Sequence, residues 1–599
     1  MRLPKVIFGA KQQAAKQYLV RILQEPLQIQ PDGRKCQGCR KFCCGVRGFG
    51  SPPAPTQYFR CAELSMCGNR RGRTAKSSCA IAARMASVAK PFTMLALPTV
   101  FCGCLSQAHQ AVNERGFMSS LTDYFARLSR TKIVATVGPA CTGVDDLVGL
   151  ICSGVDVFRI NTAHGSREEH QSRVENIRQA SQRTGVPVAI LVDLAGPKIR
   201  LGQLPGDEFQ CVPGQTVRFL RGCQSTVPGE LTSTYDRLVD DLDVGDKVML
   251  ADGLVSLQVV EKSADAAVCQ VVQGGTIRSR QGVNLPGVKL KVPALTDRDK
   301  DNAAWAAAAG VDFLSLSFVR SADDLAPLRQ IIAQAGGFAQ IVAKIEKPEA
   351  VENIESIIAA ADAIMIARGD LGVEIDIAQV PVVQKRIIRL SNQAGKPVIV
   401  ATQMLESMHN SRIPTRAEAT DVANAILDGA DACMLSGETA VGQYPRQTVE
   451  MMHRIAVATE AVLQQQNQQA RPAFQSDPEH PITQATTWAA GLLAEQLDAR
   501  LLVVATASGR TALSISKQRR FVYTVGLSDS PITLRRMCLY WGVVPWQSPL
   551  SDDITAVLQR VIGEAQAAGR LHKGDRVVLI GGTGLPVSRH NMIVVHELH

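Results

Sequence analysis

No segment of this chain is long and apolar enough to cross a bilayer. The most apolar stretch near its start, residues 94–105, is broken by Pro98 and falls short of the ~20 residues a spanning helix needs. Most of the chain also lacks a basic surplus. Residues 1–117 hold 18 Lys and Arg against 4 Asp and Glu, a net of +14, whereas the whole chain is +10, so the rest is net −4. That mildly acidic remainder offers no basic face to a nucleic acid. A complete zinc-ligand set is missing too: Cys36-Gln-Gly-Cys39 with Cys43 and Cys44 has ligand-like spacing, but no second well-spaced Cys or His pair completes a tetrahedron.

Residues 1–117 also lack any sustained period of 3.6 or 2, and they carry nine of the 16 cysteines. We read them as a basic leader outside the catalytic fold. Their Ser/Ala/Arg-rich, acid-poor stretch, residues 70–90, followed by residues 91–105, has the composition of a transit or signal segment. The competing reading takes Met118 as the start of the protein. The seven later cysteines are scattered singly in apolar contexts, as reduced core residues of a cytosolic-type protein would be. A cytoplasmic location is expected, or an organelle if the leader acts as a signal.

At 599 residues the chain should hold several domains, because single cores rarely grow beyond ~250–300 residues. From Arg130 onward eight short apolar runs alternate with helical stretches: 132–138, 156–161, 187–194, 312–318, 341–346, 363–370, 397–404 and 432–436. Eight such units imply a (β/α)8 barrel, assigned to residues 118–202 and 291–472, with its chemistry at the C-terminal ends of the strands. Residues 203–290 interrupt it with apolar/polar alternation around Gly turns, which predicts a small β domain placed as a lid. A further α/β domain is expected over residues 473–599. There Leu501-Leu-Val-Val-Ala-Thr506 runs into Ala507-Ser-Gly-Arg-Thr511, a strand-turn-helix able to accept phosphate or to serve as an ordinary capped turn.

Within the barrel, Lys344 and Glu346 stand two residues apart and should share a strand face, as should Arg368 and Asp370, and Arg159 and Asn161. Two carboxylates and an ammonium converging at one rim suit a hard divalent cation and a phosphoryl group. Phosphoryl transfer follows as the expected chemistry.

In chain order the motifs include Thr131-Lys-Ile-Val-Ala-Thr-Val-Gly-Pro139, Arg159-Ile-Asn161, Gly196-Pro-Lys-Ile-Arg200, Lys344-Ile-Glu346, Ala367-Arg-Gly-Asp-Leu-Gly372, Ala401-Thr-Gln-Met404, Pro414-Thr-Arg-Ala-Glu418 and Met434-Leu-Ser-Gly-Glu-Thr439. This ordered series, covering everything after about residue 128, resembles the bacterial-type pyruvate kinase family. The resemblance implies transfer of phosphate from phosphoenolpyruvate to ADP, giving pyruvate and ATP, in a lidded barrel. It implies Glu346 and Asp370 as ligands of Mg2+, or of Mn2+ in its place, and Lys344 and Arg159 at the phosphoryl group. It implies Gly369, Asp370 and Thr402 at the substrate carboxylate, with Thr402 and Ser436 organising proton delivery. His164, Arg200, Arg280 and Asn161 are expected at the nucleotide, and Asp252 on the lid.

The monovalent-cation position would comprise Asn161, Asp193 and Leu194, but Ala163 removes one hydroxyl, and Lys198 replaces the Glu of potassium-dependent members. An enzyme that does not require K+ is expected. The family also implies a homotetramer regulated by a phosphorylated effector held near Thr506, Ser508, Gly509, Arg510 and Thr511. Two other readings stay open: a Mg2+-dependent lyase or aldolase acting on a pyruvate enolate, and a degenerate barrel with the leader as an RNA- or membrane-surface module. Neither lyase nor aldolase needs the lid or the phosphate-binding tail, and intact Lys344, Glu346, Asp370, Arg159 and Thr402 count against degeneracy.

Overall fold

Eight parallel strands close into a barrel in chain order: β1 (Lys132–Thr136), β2 (Val157–Asn161), β3 (Ala189–Leu194), β4 (Phe313–Leu316), β5 (Gln340–Ile345), β6 (Ala363–Ala367), β7 (Val398–Ala401) and β8 (Ala432–Leu435), which pairs back to β1. This computed structural model describes residues 129–222, 224–288, 290–466, 481–549, 553–582 and 590–599; the leader, with its Cys36–Cys44 cluster, lies outside them. All the strands but β5 are shorter than the apolar runs. After β6, Arg368–Glu374 is helix and not strand.

The two-residue period divides each strand between two cores. Val134, Leu191, Phe313, Val342, Met365, Ile399 and Met434 fill the barrel interior. Their neighbours Ala135, Val192, Leu314, Ala343, Ile366, Val400 and Leu435 pack outward with the helices. Inward-facing parity therefore leads, at the strand exits, to Thr136, Arg159, Asp193, Ser315, Lys344 and Ser436. Polar groups can sit on that face only above the apolar layers, where the barrel opens.

The opposite end carries a four-fold device. Asp156, Asp312, Asp362 and Asp431 each precede an even-numbered strand, and each carboxylate accepts the N–H at the start of the strand before it: Ile133 at 3.0 Å, and Ile190, Ile341 and Val398 at 2.8 Å. A buried N–H without a partner would cost the desolvation of that group, so each Asp completes its strand's ladder at the base.

Between β3 and β4 the chain forms a six-stranded sheet and a two-stranded one, from Glu208–Cys211 through Val283–Asn284. This unit has its own core, including Val217, Phe219, Leu250, Leu257 and Cys269. It is tied to the mouth: Asn284 Nδ2 donates to Glu374 Oε1 at 3.2 Å, and Lys347 Nζ reaches the same oxygen at 2.7 Å.

The C-terminal unit is a five-stranded sheet with β9 (Leu501–Ala505) at its centre, between β10 (Thr524–Ser528) and β12 (Arg576–Gly582); β11 (Val543–Gln547) and β13 (His590–Glu597) form the edges. β13 alone is antiparallel to its neighbour. The unit meets the barrel's base through Arg535 on Asp312 at 2.6 Å and Lys517 on Asp431 at 2.6 Å. Six of the seven later cysteines are described; all six are free thiols, and all but Cys152 are buried.

Candidate active site

Lys344 is the centre of the charged cluster at the mouth. Its Nζ lies 2.8 Å from Glu346 Oε1, 3.4 Å from Asp193 Oδ1 and 2.7 Å from Ser317 Oγ. Burial alone would drive the proton off this amine, but the charges of Asp193 and Glu346 outweigh it and hold the ammonium well above the ordinary lysine range. Lys344 is thus a fixed positive charge and not a proton donor near neutral pH.

Asp193 is gripped from both sides. Arg159 donates to Oδ2 from Nε at 2.9 Å and from Nη2 at 2.6 Å, and Ser315 Oγ donates to Oδ1 at 2.6 Å. Burial pushes this carboxyl up, yet Lys344 and Arg159 prevail and hold it below the usual carboxylate range. Arg159 Nη1 also donates to Thr136 Oγ1 at 3.1 Å, so the guanidinium is fixed before any substrate arrives.

Glu346 shows the opposite balance. Its other oxygen accepts the Phe318 N–H at 2.8 Å, but burial and the negative charge of Asp370 raise its carboxyl in spite of Lys344. Asp370 is itself 3.6 Å from Lys198 Nζ, with both side chains about a third exposed. Two carboxylates that act on each other, one of them buried, form a donor set matched to a small divalent cation. These residues fit such an ion.

Arg368 and Asp370 do not share a face. They fall in the first turn of the helix after β6, where residues two apart diverge by about 200°. Arg368 turns to Asp421 and to the Thr402 carbonyl, while Asp370 turns to Lys198. The extended reading of this segment failed because the apolar run ends at Ala367.

Thr402 Oγ1 accepts the Gly369 N–H at 2.7 Å and donates to Ala401 O at 2.7 Å. Ser436 lies one residue beyond β8, and its Oγ is buried with no partner among the described residues. Asn161 Oδ1 accepts the Ala163 N–H at 3.0 Å, and the Leu194 carbonyl accepts from Ser317 Oγ at 2.7 Å.

A basic group stands beside this cluster. Burial, then the positive charges of Arg200, Lys198 and Arg159, hold the His164 imidazolium below its ordinary range. Arg200 Nη1 donates to the Arg280 carbonyl at 3.1 Å, and Arg280, on the inserted unit, has a left-handed φ of 64°. Asp252 is exposed and also left-handed, at φ 53°. A side chain at Gly282 would contact both the Lys198 chain and Asp252, which places the inserted unit at the mouth.

In the C-terminal unit, Thr506 Oγ1 accepts the Gly509 N–H at 3.0 Å, and Gly509, at φ 84°, caps the helix Arg510–Lys517. Thr506 and Thr511 are buried, and Ser508 and Arg510 are exposed.

The residues that sequence reasoning missed are supports. Thr136, Ser315 and Ser317 position Arg159, Asp193 and Lys344. The signal was present: Phe313-Leu-Ser-Leu-Ser-Phe318 puts two hydroxyls on one face of an otherwise apolar strand, where a buried hydroxyl needs a polar partner.

No helix among the described residues is long and apolar enough to cross a membrane. Residues 128–449 match the family model described as pyruvate kinase, barrel domain, and residues 484–596 match the pyruvate kinase alpha/beta domain. A pyruvate kinase of Geobacillus stearothermophilus is 41% identical over 475 residues, covering 78% of this chain and 80% of its own. One of Mycobacterium tuberculosis is 40% identical over 471 residues, covering 78% of this chain and 98% of its own. A crystal structure of a pyruvate kinase from Cryptosporidium parvum superposes with a TM-score of 0.73 at 35% identity, covering 79% of this chain and 97% of that one. By sequence, by domain content and by fold, this chain belongs to the pyruvate kinase family, phosphotransferases that use phosphoenolpyruvate and ADP and work with a divalent metal such as Mg2+.

Proposed function

We propose that this chain transfers the phosphoryl group of phosphoenolpyruvate to ADP at the mouth of its barrel, with Lys344, Arg159, Glu346, Asp370 and Thr402 as the working groups. The observation that carries the reading is the Lys344 ammonium, buried and fixed 2.8 Å from Glu346 and 3.4 Å from Asp193. A permanent, oriented positive charge is what a phosphoryl group in flight requires, because charge spreads over its oxygens and little covalent work is left to the protein.

Glu346 and Asp370 would hold Mg2+, or Mn2+ in its place, and the cation would supply neutralisation of the substrate's negative charge. Arg159 turns its guanidinium to the phosphoryl oxygens while Asp193 fixes it. Gly369, Asp370 and Thr402 take the carboxylate, with the Gly369 N–H released from Thr402 Oγ1 as the substrate enters. Ser436, a buried hydroxyl without a hydrogen-bond partner among the described residues, organises the proton that the enolate takes up, together with Thr402. His164, Arg200 and Arg280 face the nucleotide phosphates alongside Asn161, and the inserted unit, through Asp252, closes over them and excludes water.

Lys198, beside Asp370, supplies the positive charge that K+ provides elsewhere, so the enzyme works without that ion. Thr506, Ser508, Gly509, Arg510 and Thr511 hold a phosphorylated effector in a homotetramer; the inserted domain spans residues 203–290, and the bounds expected at 118 and 473 lie outside the described residues. The enzyme acts in the cytoplasm.

A coupled assay for ADP-dependent pyruvate release, run beside Lys344→Met, tests the reading. Release that depends on ADP in the native chain and vanishes in the variant supports it. Pyruvate formed without ADP would point to a lyase instead.

A further inference from the structure

We infer that Arg368 is a positioning residue for the phosphoenolpyruvate carboxylate, acting through the backbone of Thr402. The inference rests on the reading of Gly369 and Thr402 as the carboxylate cradle.

Strand parity alone would send Thr402 outward. Val400 packs among the helices, and Thr402 is two residues further on. The chain breaks that parity by adopting φ 68° at Thr402 and 54° at Gln403, two consecutive left-handed residues, neither of them glycine. Rotation about the Thr402 N–Cα bond to positive φ swings its side chain round to Gly369. A β-branched residue rarely holds such a conformation, so the surroundings must impose it.

Arg368 supplies the constraint. Its Nη2 donates to the Thr402 carbonyl at 3.0 Å, fixing the peptide that the unusual φ produces. The guanidinium is held in turn by Asp421, 2.7 Å from both Nη1 and Nη2, and more loosely by Gln384 Oε1 at 3.4 Å. The next residue, Gly369, binds the Thr402 hydroxyl through its N–H at 2.7 Å. Two consecutive residues after β6 therefore fix both the backbone and the side chain of the residue after β7. Lysine could keep the charge beside Asp421, but its single ammonium lacks the planar fork that serves both partners.

The test compares Arg368→Met, Arg368→Lys, Asp421→Asn and Thr402→Val in full steady-state kinetics. In Arg368→Met, KM for phosphoenolpyruvate should rise by between about tenfold and about a hundredfold while KM for ADP stays unchanged, since displacement of a positioned group acts on the ligand it positions. Arg368→Lys should recover part of the loss, and Asp421→Asn should show a smaller rise of the same kind. Asp421→Asn also decides the matter if Arg368→Met does not fold. Equal rises in both KM values, or a lowered melting temperature with unchanged kinetics, would make Arg368 merely structural and overturn the inference. If Thr402→Val leaves KM for phosphoenolpyruvate unchanged, the cradle reading fails and the inference with it; if only Thr402→Val raises it, the cradle stands and the role of Arg368 falls.

Discussion

Lys517 Nζ lies 2.6 Å from Asp431 Oδ2, linking the end of the helix that follows the Thr506–Thr511 turn to the residue just before β8, whose far end delivers Ser436. Arg519 adds a contact to the other Asp431 oxygen at 3.1 Å. The C-terminal unit thus docks on two of the four aspartates that complete the barrel's base, Asp431 here and Asp312 through Arg535.

Burial lowers the Lys517 amine to about 8 from an ordinary 10.5, despite the opposing charge of Asp431. Between those values the folded chain binds fewer protons than the unfolded one, so this group's contribution to stability rises with pH across that window. The melting temperature of the native chain, compared with Lys517→Met, should therefore climb from pH 8 toward pH 10 by a few degrees. A flat difference across that range would remove Lys517 as the titrating group.

Lys344 neutralises two buried carboxylates at once. Lys344→Met should lower turnover by about a thousandfold or more, as loss of a preorganised charge does, and should also lower the melting temperature because Asp193 and Glu346 lose their shared cation. Circular dichroism should show the fold retained. Added Mg2+ should raise the melting temperature of the variant, and the absence of any such rise would argue against Glu346 and Asp370 as metal ligands.

Lys198, 3.6 Å from Asp370, should make turnover indifferent to K+ in a tetramethylammonium buffer free of sodium. Lys198→Glu should lower activity in that buffer and restore it when K+ is added. A large activation of the native chain by K+ would refute the tethered-ammonium reading.

His164 provides a local reporter of nucleotide. Burial and its cationic neighbours Arg200, Lys198 and Arg159 depress its imidazolium, so ADP phosphates placed among them should raise it. An NMR titration of the His164 ring with and without ADP should show that upward shift. No shift at saturating ADP would move the phosphates elsewhere.

Much of the fold was legible in the sequence because burial on two faces leaves an unmistakable record. Eight apolar runs, each ending in polar residues, announced the barrel, and Lys344, Glu346 and Arg159 were placed by the same two-residue period that sets their direction, whereas Asp193 entered only through the family resemblance. The period misled where the strand stopped. At β6 an apolar run gave no notice that Arg368 already begins a helix, and at β7 nothing local marked Thr402 as left-handed.

The sequence by itself determined which residues face the barrel's interior and which charges reach its rim, since alternation and chain order are local properties. Only the tertiary structure decided what those charges do to one another: that Lys344 stays an ammonium between two acids, that Asp431 receives a lysine from a domain far along the chain, and that Arg368 holds Thr402 in place. Those outcomes depend on distance and burial between segments remote in sequence, and no local pattern encodes either quantity.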